Sequence, residues 1–446
     1  MTSSPSARQL AWTALKAVHK GAFADVALDR VLTGPVLSAA DRRLLTELVY
    51  GCVRRQRSLD TLIDQLARKP ALKQPPDVRA ALHLGLYQLR YLQHIPASAA
   101  VNTTVDLLKQ NRMSGLSGFV NGLLRQYIRL QATQDPLILP SDPIERLGVL
   151  HSYPDWIVQV WADSLGLEGA EQLCQFCNQT PHIDLRINPL ITERQAVQEA
   201  IAQAGITTVP LPALPQALRI VGNPGPIQQL PGYAEGWWTV QDASAQLVGH
   251  CLAPELGSTV IDLCAAPGGK TLHLAELMQG TGTIWACDRT ASRLRRLRQN
   301  LERLHITNVQ IWEGDGRNLG SDVPLADALL LDAPCSGLGT LHRHADARWR
   351  QSPQTVSELS VLQTELLNAA AHHVKPGGIM VYATCTLHPS ENEAQIQSFL
   401  ETHPLWHLEP PSPTLTEFST EAGWLKIWPH QHEMDGFFMA RLRLST

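Results

Sequence analysis

Two cysteines in this 446-residue chain stand where a thiol can act as a reagent. Cys335 lies in "DAPCSGLG" and Cys385 in "YATCT", and each ends an apolar run of the kind that forms a buried strand. A single cysteine at a strand end is ordinarily just a small buried residue. Two of them flanking a glycine-rich loop point to chemistry. Carbon 5 of a cytosine is a poor nucleophile. A thiolate added to carbon 6 turns the ring into an enamine-like species that can take up a methyl group; a base then removes the carbon-5 proton and the thiolate departs. A free thiol titrates near about 8.5, so such a site must favour the thiolate. Asp332, three residues before Cys335, is placed to hydrogen-bond the amidine edge of the base as charge develops there.

The loop itself is Cys264, Ala265, Ala266, Pro267, Gly268, Gly269 and Lys270, followed by Thr271. It satisfies the phosphate-cradling pattern G-x-x-x-x-G-K-[ST] except at its first glycine, which is Cys264. The acids downstream decide between ligands. Asp288 ends the next apolar run, "GTIWACD", where a carboxylate can accept from both hydroxyls of a ribose. Asp315 ends the run after that, within reach of an adenine amino group. A triphosphate would be repelled by this pair, whereas a neutral adenosine carrying a sulfonium is favoured. The loop therefore reads as a site for S-adenosylmethionine, with Gly268 and Gly269 admitting the ligand to the backbone and helix-start amides meeting its carboxylate. One such Asp alone would be a turn former.

These residues need a scaffold that brings strand ends together. From about residue 233 the pattern alternates between strand and helix, giving an α/β, Rossmann-like domain with a parallel sheet covered on both faces. Ligands of such sheets gather at the carboxyl ends of the strands, where Cys264, Asp288, Asp315, Asp332, Cys335 and Cys385 all fall. Residues 136–232 mix short strands and helices, a small α+β linking domain entered through the proline-rich "QATQDPLILPSDP". Residues 1–135 read as helix after helix. Ser38 caps one of them with Asp41 three residues on, and Leu44, Leu45, Leu48, Val49, Cys52 and Val53 follow as an apolar stripe.

Charge divides the same way. Residues 1–135 carry 18 Lys and Arg against 9 Asp and Glu, the remainder 19 against 32, which suits a basic module that approaches a polyanion. A solvated basic surface explains that balance equally well. The start, "MTSSPSARQL", shows no secretory signal, no apolar run spans a membrane, and eight cysteines without a framework fit a reducing cytoplasm. Cys174 and Cys177 form the only C-x-x-C; with no second pair at zinc spacing they read as buried apolar residues, and no metal is expected.

As a set, "DLCAAPGGKT", "DAPCSGLGT" and "YATCT" with the later "ENE" resemble the RNA (cytosine-C5) methyltransferases of the bacterial Sun/Fmu type. The likeness extends to "VQDASAQL", to the closing "MDGFFMARL" and to a NusB-like helical domain over the first 130 residues, so it spans nearly the whole chain. It implies a 16S ribosomal RNA substrate, methylated at cytosine 967. It also implies that Cys385 is the nucleophile, that Cys335 assists release of the product, and that cofactor contacts fall on residues 264–270, Asp288, Asp315 and Asp332. A cytoplasmic monomer acting on small-subunit RNA, with no membrane and no DNA partner, is the corresponding expectation. Ala345 and Pro189 depart from the family pattern without touching the chemistry.

Three rivals stand beside this reading. A DNA cytosine methyltransferase would attack with Cys335 and carry a Glu-Asn-Val motif, which is absent. A non-catalytic RNA-binding or antitermination protein needs neither the two cysteines nor the acid series. The same chemistry on transfer RNA differs only in substrate. For RNA contact the candidates are Arg343 and Arg348, flanked by His342 and His344, while Trp237 and Trp238 read as core aromatics before stacking platforms.

Overall fold

The structure is a computed structural model that describes residues 5–34 and 37–446. Residues 1–4, which open the stretch searched for a leader, and residues 35–36 lie outside the described residues. Proximity along the backbone divides the chain into two compact units: the chain up to Gln179 together with Leu341–Arg350, and Thr180–Thr340 together with Gln351–Thr446.

The first unit is helical. Its elements are α1 (Ala7–His19), α2 (Ala24–Leu32), α3 (Ala39–Arg54), α4 (Gln56–Leu66), α5 (Pro76–Tyr91), α6 (Ala97–Gln110), α7 (Ser114–Gln131), α8 (Pro143–His151) and α9 (Asp155–Phe176). Helix α3 starts where its sequence says it should. Ser38 Oγ accepts from the Asp41 amide at 3.0 Å and donates to the Asp41 carboxylate at 2.7 Å. The stripe from Leu45 to Val53 is buried, with Leu44 half-buried at its edge. Cys174 and Cys177 are buried where α9 ends.

Ten residues from far along the chain complete this unit. Arg348 is fully buried, and its guanidinium lies where three helices terminate. It donates to the carbonyls of Arg54 (3.4 Å), Ser152 (3.2 Å) and Cys177 (3.4 Å), at the ends of α3, α8 and α9, and to Asn178 Oδ1 (3.0 Å). The ring of Tyr153 stacks beneath it at 3.9 Å. Helix carboxyl ends leave carbonyls unpaired and carry partial negative charge, so one buried cation satisfies three of them. Nearby, Asp346 accepts from the Ala24 amide at 3.1 Å and so caps α2, whose own start has no side-chain cap. The expectation that Arg348 contacts phosphate is therefore corrected: it is a structural cation with no path to a ligand. His342 is buried as well, Arg343 half-buried and His344 exposed.

The second unit holds two sheets. The smaller comprises β1 (Ile183–Ile187), β2 (Thr207–Leu211), β3 (Leu214–Val221) and β4 (Trp238–Val240), antiparallel in the order β2-β3-β1-β4, with α10 (Arg194–Gln203) following β1. Trp238 is in its core, and Trp237 packs half-buried beside it. After α11 (Ala243–Leu252) come β5 (Thr259–Asp262), α12 (Gly269–Leu277), β6 (Thr283–Asp288), α13 (Ala291–Arg303), β7 (Val309–Glu313) and β8 (Ala326–Asp332). Following the excursion into the helical unit, which includes the short α14 (Ala347–Arg350), the chain continues through α15 (Pro353–Ala371), β9 (Val374–Thr384), α16 (Glu393–Thr402), β10 (Trp406–Leu408), β11 (Leu425–Ile427) and β12 (Phe437–Leu444).

The larger sheet has the order β10-β12-β9-β8-β5-β6-β7. Strands β9, β8, β5, β6 and β7 are parallel, and the order reverses between β5 and β8, so the ligand crevice of this fold opens at their carboxyl ends. The five strands expected to be parallel are so; the sheet as a whole is mixed, because β12 runs antiparallel to β9 and β10. An apolar run such as "GFFMARL" gives burial without direction, and only the chain's return through Asp435 and Gly436 sets it.

Candidate active site

The loop after β5 is shaped by contacts on each side. The Ala265 amide donates to the Cys287 carbonyl at 2.9 Å, and the Ala266 amide to Asp288 Oδ2 at 3.2 Å. The Ala266–Pro267 bond is cis, and Gly268 follows with φ 107°. A side chain at Gly268 would meet Leu297 of α13 at 2.4 Å, so glycine is required both by conformation and by the close approach of that helix. Helix α12 begins at Gly269 with no side-chain cap, leaving its first amides facing the crevice end of the sheet as donors for an anion.

A cavity of about 130 Å³ opens beside this loop, lined by Cys264, Asp288, Thr290, Arg293, Asp315 and Pro334 among others. Asp288 is buried and oriented: Oδ1 accepts from the Thr290 amide at 2.8 Å, and Oδ2 from Arg293 Nη1 at 3.2 Å as well as from Ala266. Arg293 also holds the Ala266 carbonyl. Asp315 is more exposed. Its hydrogen bonds to Arg317, which in turn reaches Glu365 on α15, hold its carboxyl down at about 2. The residues fit a nucleoside whose hydroxyls and amino group need carboxylate acceptors, together with a carboxylate of its own at an uncapped helix start. Sequence reasoning missed Arg293 and Asp262. The latter ends β5, accepts from Thr271 Oγ1 at 2.6 Å, and is pushed up to about 7 by burial.

Across the switch point the structure brings four predicted residues together. Lys270 Nζ pairs with Asp332 Oδ2 at 2.7 Å. Burial alone would lower the Lys270 ammonium, but Asp332, and beyond it Cys385, outweigh this and hold it above its ordinary value. Cys335 Sγ and Cys385 Sγ lie 3.4 Å apart, both half-buried. The contact with Cys385, reinforced by burial, pushes the Cys335 thiol well up.

The residue after each cysteine locks the pair in place. Ser336 Oγ and Thr386 Oγ1 are hydrogen-bonded at 2.8 Å, and both reach the carboxylate of Glu391. Buried Glu391 also accepts from the Ser336 amide (2.8 Å) and Gln363 Nε2 (3.0 Å), and its own carbonyl takes the Tyr382 hydroxyl at 2.6 Å. Asn392 accepts from Thr384 Oγ1 at 2.5 Å and donates to the Thr386 carbonyl at 3.0 Å. Thus "ENE" supplies the clamp that joins the two cysteine loops.

A second joint is made of backbone alone. The Gly339 amide donates to the Cys385 carbonyl at 2.9 Å, and the Gly436 amide to the Gly339 carbonyl at 2.8 Å. A Cβ on Gly339 would lie 2.1 Å from the Gly436 oxygen and 2.8 Å from that of Cys385. Gly339→Ala is therefore expected to cost about 1–3 kcal/mol by overpacking and to slow turnover about 100-fold by displacing Cys385. Thermal denaturation and single-turnover rates measure the two effects separately.

Residues 249–443 match the family model "16S rRNA methyltransferase RsmB/F", residues 5–129 the NusB family, and residues 153–228 the ferredoxin-like domain of RsmF/B-like methyltransferases. A probable ribosomal RNA small subunit methyltransferase B of Synechocystis sp. is 52% identical over 444 residues, covering 98% of this chain and 99% of the relative. A protein of the same description in Bacillus subtilis is 34% identical, covering 98% of each. Among solved structures, the crystal structure of PH0851 superposes with a TM-score of 0.82 at 29% identity, covering 99% of both chains. With a relative this similar along its whole length, and with the NusB and ferredoxin-like matches preceding the methyltransferase match, the chain belongs to the RsmB/F family of 16S rRNA methyltransferases.

Proposed function

We propose that this enzyme methylates carbon 5 of one cytosine in 16S ribosomal RNA, cytosine 967, through a covalent adduct between Cys385 and carbon 6 of the base. The observation that carries the reading is the 3.4 Å approach of Cys335 and Cys385 beside the Lys270–Asp332 pair, at the strand ends next to the cavity lined by Asp288 and Asp315. The chain is a methyltransferase and S-adenosylmethionine is its methyl donor. When bound, that cofactor supplies an electrophilic methyl group. Asp288 and Asp315 would hold its ribose and adenine, and residues 264–270 would hold its methionine portion.

The target base leaves any stack to enter the crevice. Asp332 meets its amidine edge, and Cys385 forms the S–C6 bond. Cys335, 3.4 Å from it, serves the later step, when the carbon-5 proton has gone to a base and the S–C6 bond breaks. In this reading residues 1–135 bind RNA, 136–232 form a linking domain that also touches it, and 233–446 carry the chemistry. The enzyme works as a monomer in the cytoplasm, on RNA and not on DNA.

The test is methylation of a 16S rRNA transcript with labelled cofactor, followed by bisulfite sequencing to locate the product. One protected cytosine, at position 967, is the expected result. Label incorporated on a base nitrogen or a ribose, or none on any ribosomal transcript, would sink the proposal.

A further inference from the structure

The second unit is acidic, with 15 Lys and Arg against 25 Asp and Glu, yet five of those cations fall within ten residues: Arg289, Arg293, Arg295, Arg296 and Arg298. No acid lies among them. Helix α13 turns Leu294 and Leu297 inward, Leu297 onto Gly268 of the cofactor loop, and leaves Arg295, Arg296 and Arg298 exposed on the opposite side. Spacings of one, two and three residues spread these three side chains over the solvent half of the helix.

Most other cations of the unit behave differently. Arg186 pairs with Glu276, Arg219 with Asp184, Lys270 with Asp332, Arg317 with Asp315 and Glu365, and Arg441 and Arg443 with Glu409. Among the described residues, the side chains of Arg295, Arg296 and Arg298 make neither an ion pair nor a hydrogen bond. A solvated surface needs no such concentration of one sign, and on an acidic body it lowers the net charge that keeps a protein soluble. The helix also starts at the site: Arg289, Thr290 and Arg293 line the nucleoside cavity, so the strip of free guanidinium groups runs outward from its rim over about 8 Å.

We infer that the exposed face of α13 is a contact surface for RNA phosphates, supplied by the methyltransferase unit itself and additional to the basic helical module. This rests on the functional reading above, because the polyanion it fits is that substrate. Arginine forks suit phosphate oxygens, and three unpaired ones need no partner displaced before they bind. Contacts of this kind set position and affinity without reading sequence.

The experiment measures binding of the full-length protein to a 16S rRNA transcript across a salt series, for wild type, R295E/R296E/R298E and R295K/R296K/R298K. Charge reversal is expected to weaken binding at least about tenfold near 0.1 M salt and to make the plot of log affinity against log salt shallower by about 2 to 3. The lysine variant should keep the wild-type slope, and all three proteins should bind S-adenosylmethionine equally. Single Arg→Gln changes should each remove about 0.7 to 0.9 of slope, which holds the test open should the triple reversal misfold. An unchanged slope and affinity in a charge-reversed protein that still binds cofactor overturns the assignment and gives the patch to an acidic protein partner. Wild type that neither binds nor methylates the transcript would instead overturn the functional reading beneath it.

Discussion

Replacing Cys385 by alanine is expected to lower methyl transfer by about 10⁴-fold or more and to abolish any covalent protein–RNA complex, with S-adenosylmethionine binding intact. That loss corresponds to about 5–6 kcal/mol of transition-state stabilisation. It is large because no other group at the site, among the described residues, can take over the attack. Cys335 lies 3.4 Å away, but its proton is held by burial and by Cys385 itself, and Lys270 is already committed to Asp332. Cys335→Ala should give the opposite phenotype: attack proceeds, release stalls, and a methylated adduct accumulates that resists denaturing gels. An adduct from Cys385→Ala and none from Cys335→Ala would exchange the two roles.

The second large effect is expected at Glu391, a positioning residue. Glu391→Ala removes the acceptor for the Ser336 amide and hydroxyl, for Gln363 and for Thr386, all of them buried or nearly so. Leaving a buried donor without its acceptor costs about 1–3 kcal/mol. Because Ser336 and Thr386 directly follow the cysteines, the loops should also move apart, and a displacement near 1 Å lowers turnover about 100-fold. Cofactor affinity should not change, since Asp288, Asp315 and the 264–270 loop sit on other strands. Glu391→Gln keeps one oxygen acceptor and should recover part of both losses. A variant with normal turnover but low stability would show that the clamp holds the fold and not the sulfurs.

Much of the site could be read from sequence because strand ends in an open α/β sheet converge: apolar runs located the strands, and whatever followed each run had to meet at one edge. Asp288, Asp315, Asp332, Cys335 and Cys385 were found in that way. Arg348 shows where such reading stops. "LHRHADARWR" is polar and basic and looks exposed, yet Arg348 is buried because three helix ends converge with carbonyls to spare. Unpaired carbonyls belong to backbone geometry, and no residue type announces them. The role of Glu391 was hidden for a related reason: apart from nearby Thr386, its partners are the amide and hydroxyl of Ser336 and the side chain of Gln363, each unremarkable in its own stretch. The short β10 and β11 and the reversed β12 were invisible because strand direction follows from turns and pairing, not from apolar content.

That same buried guanidinium bears on how the protein is made. Arg348 follows Asn178, one of its partners, by 170 residues. At about 5–20 residues per second, the leading helices leave the ribosome some 10–30 seconds before the cation that finishes them. Through that interval the nascent chain carries helix ends with unmet carbonyls, and maturation of the amino-terminal part waits on translation of a segment embedded in the catalytic sequence.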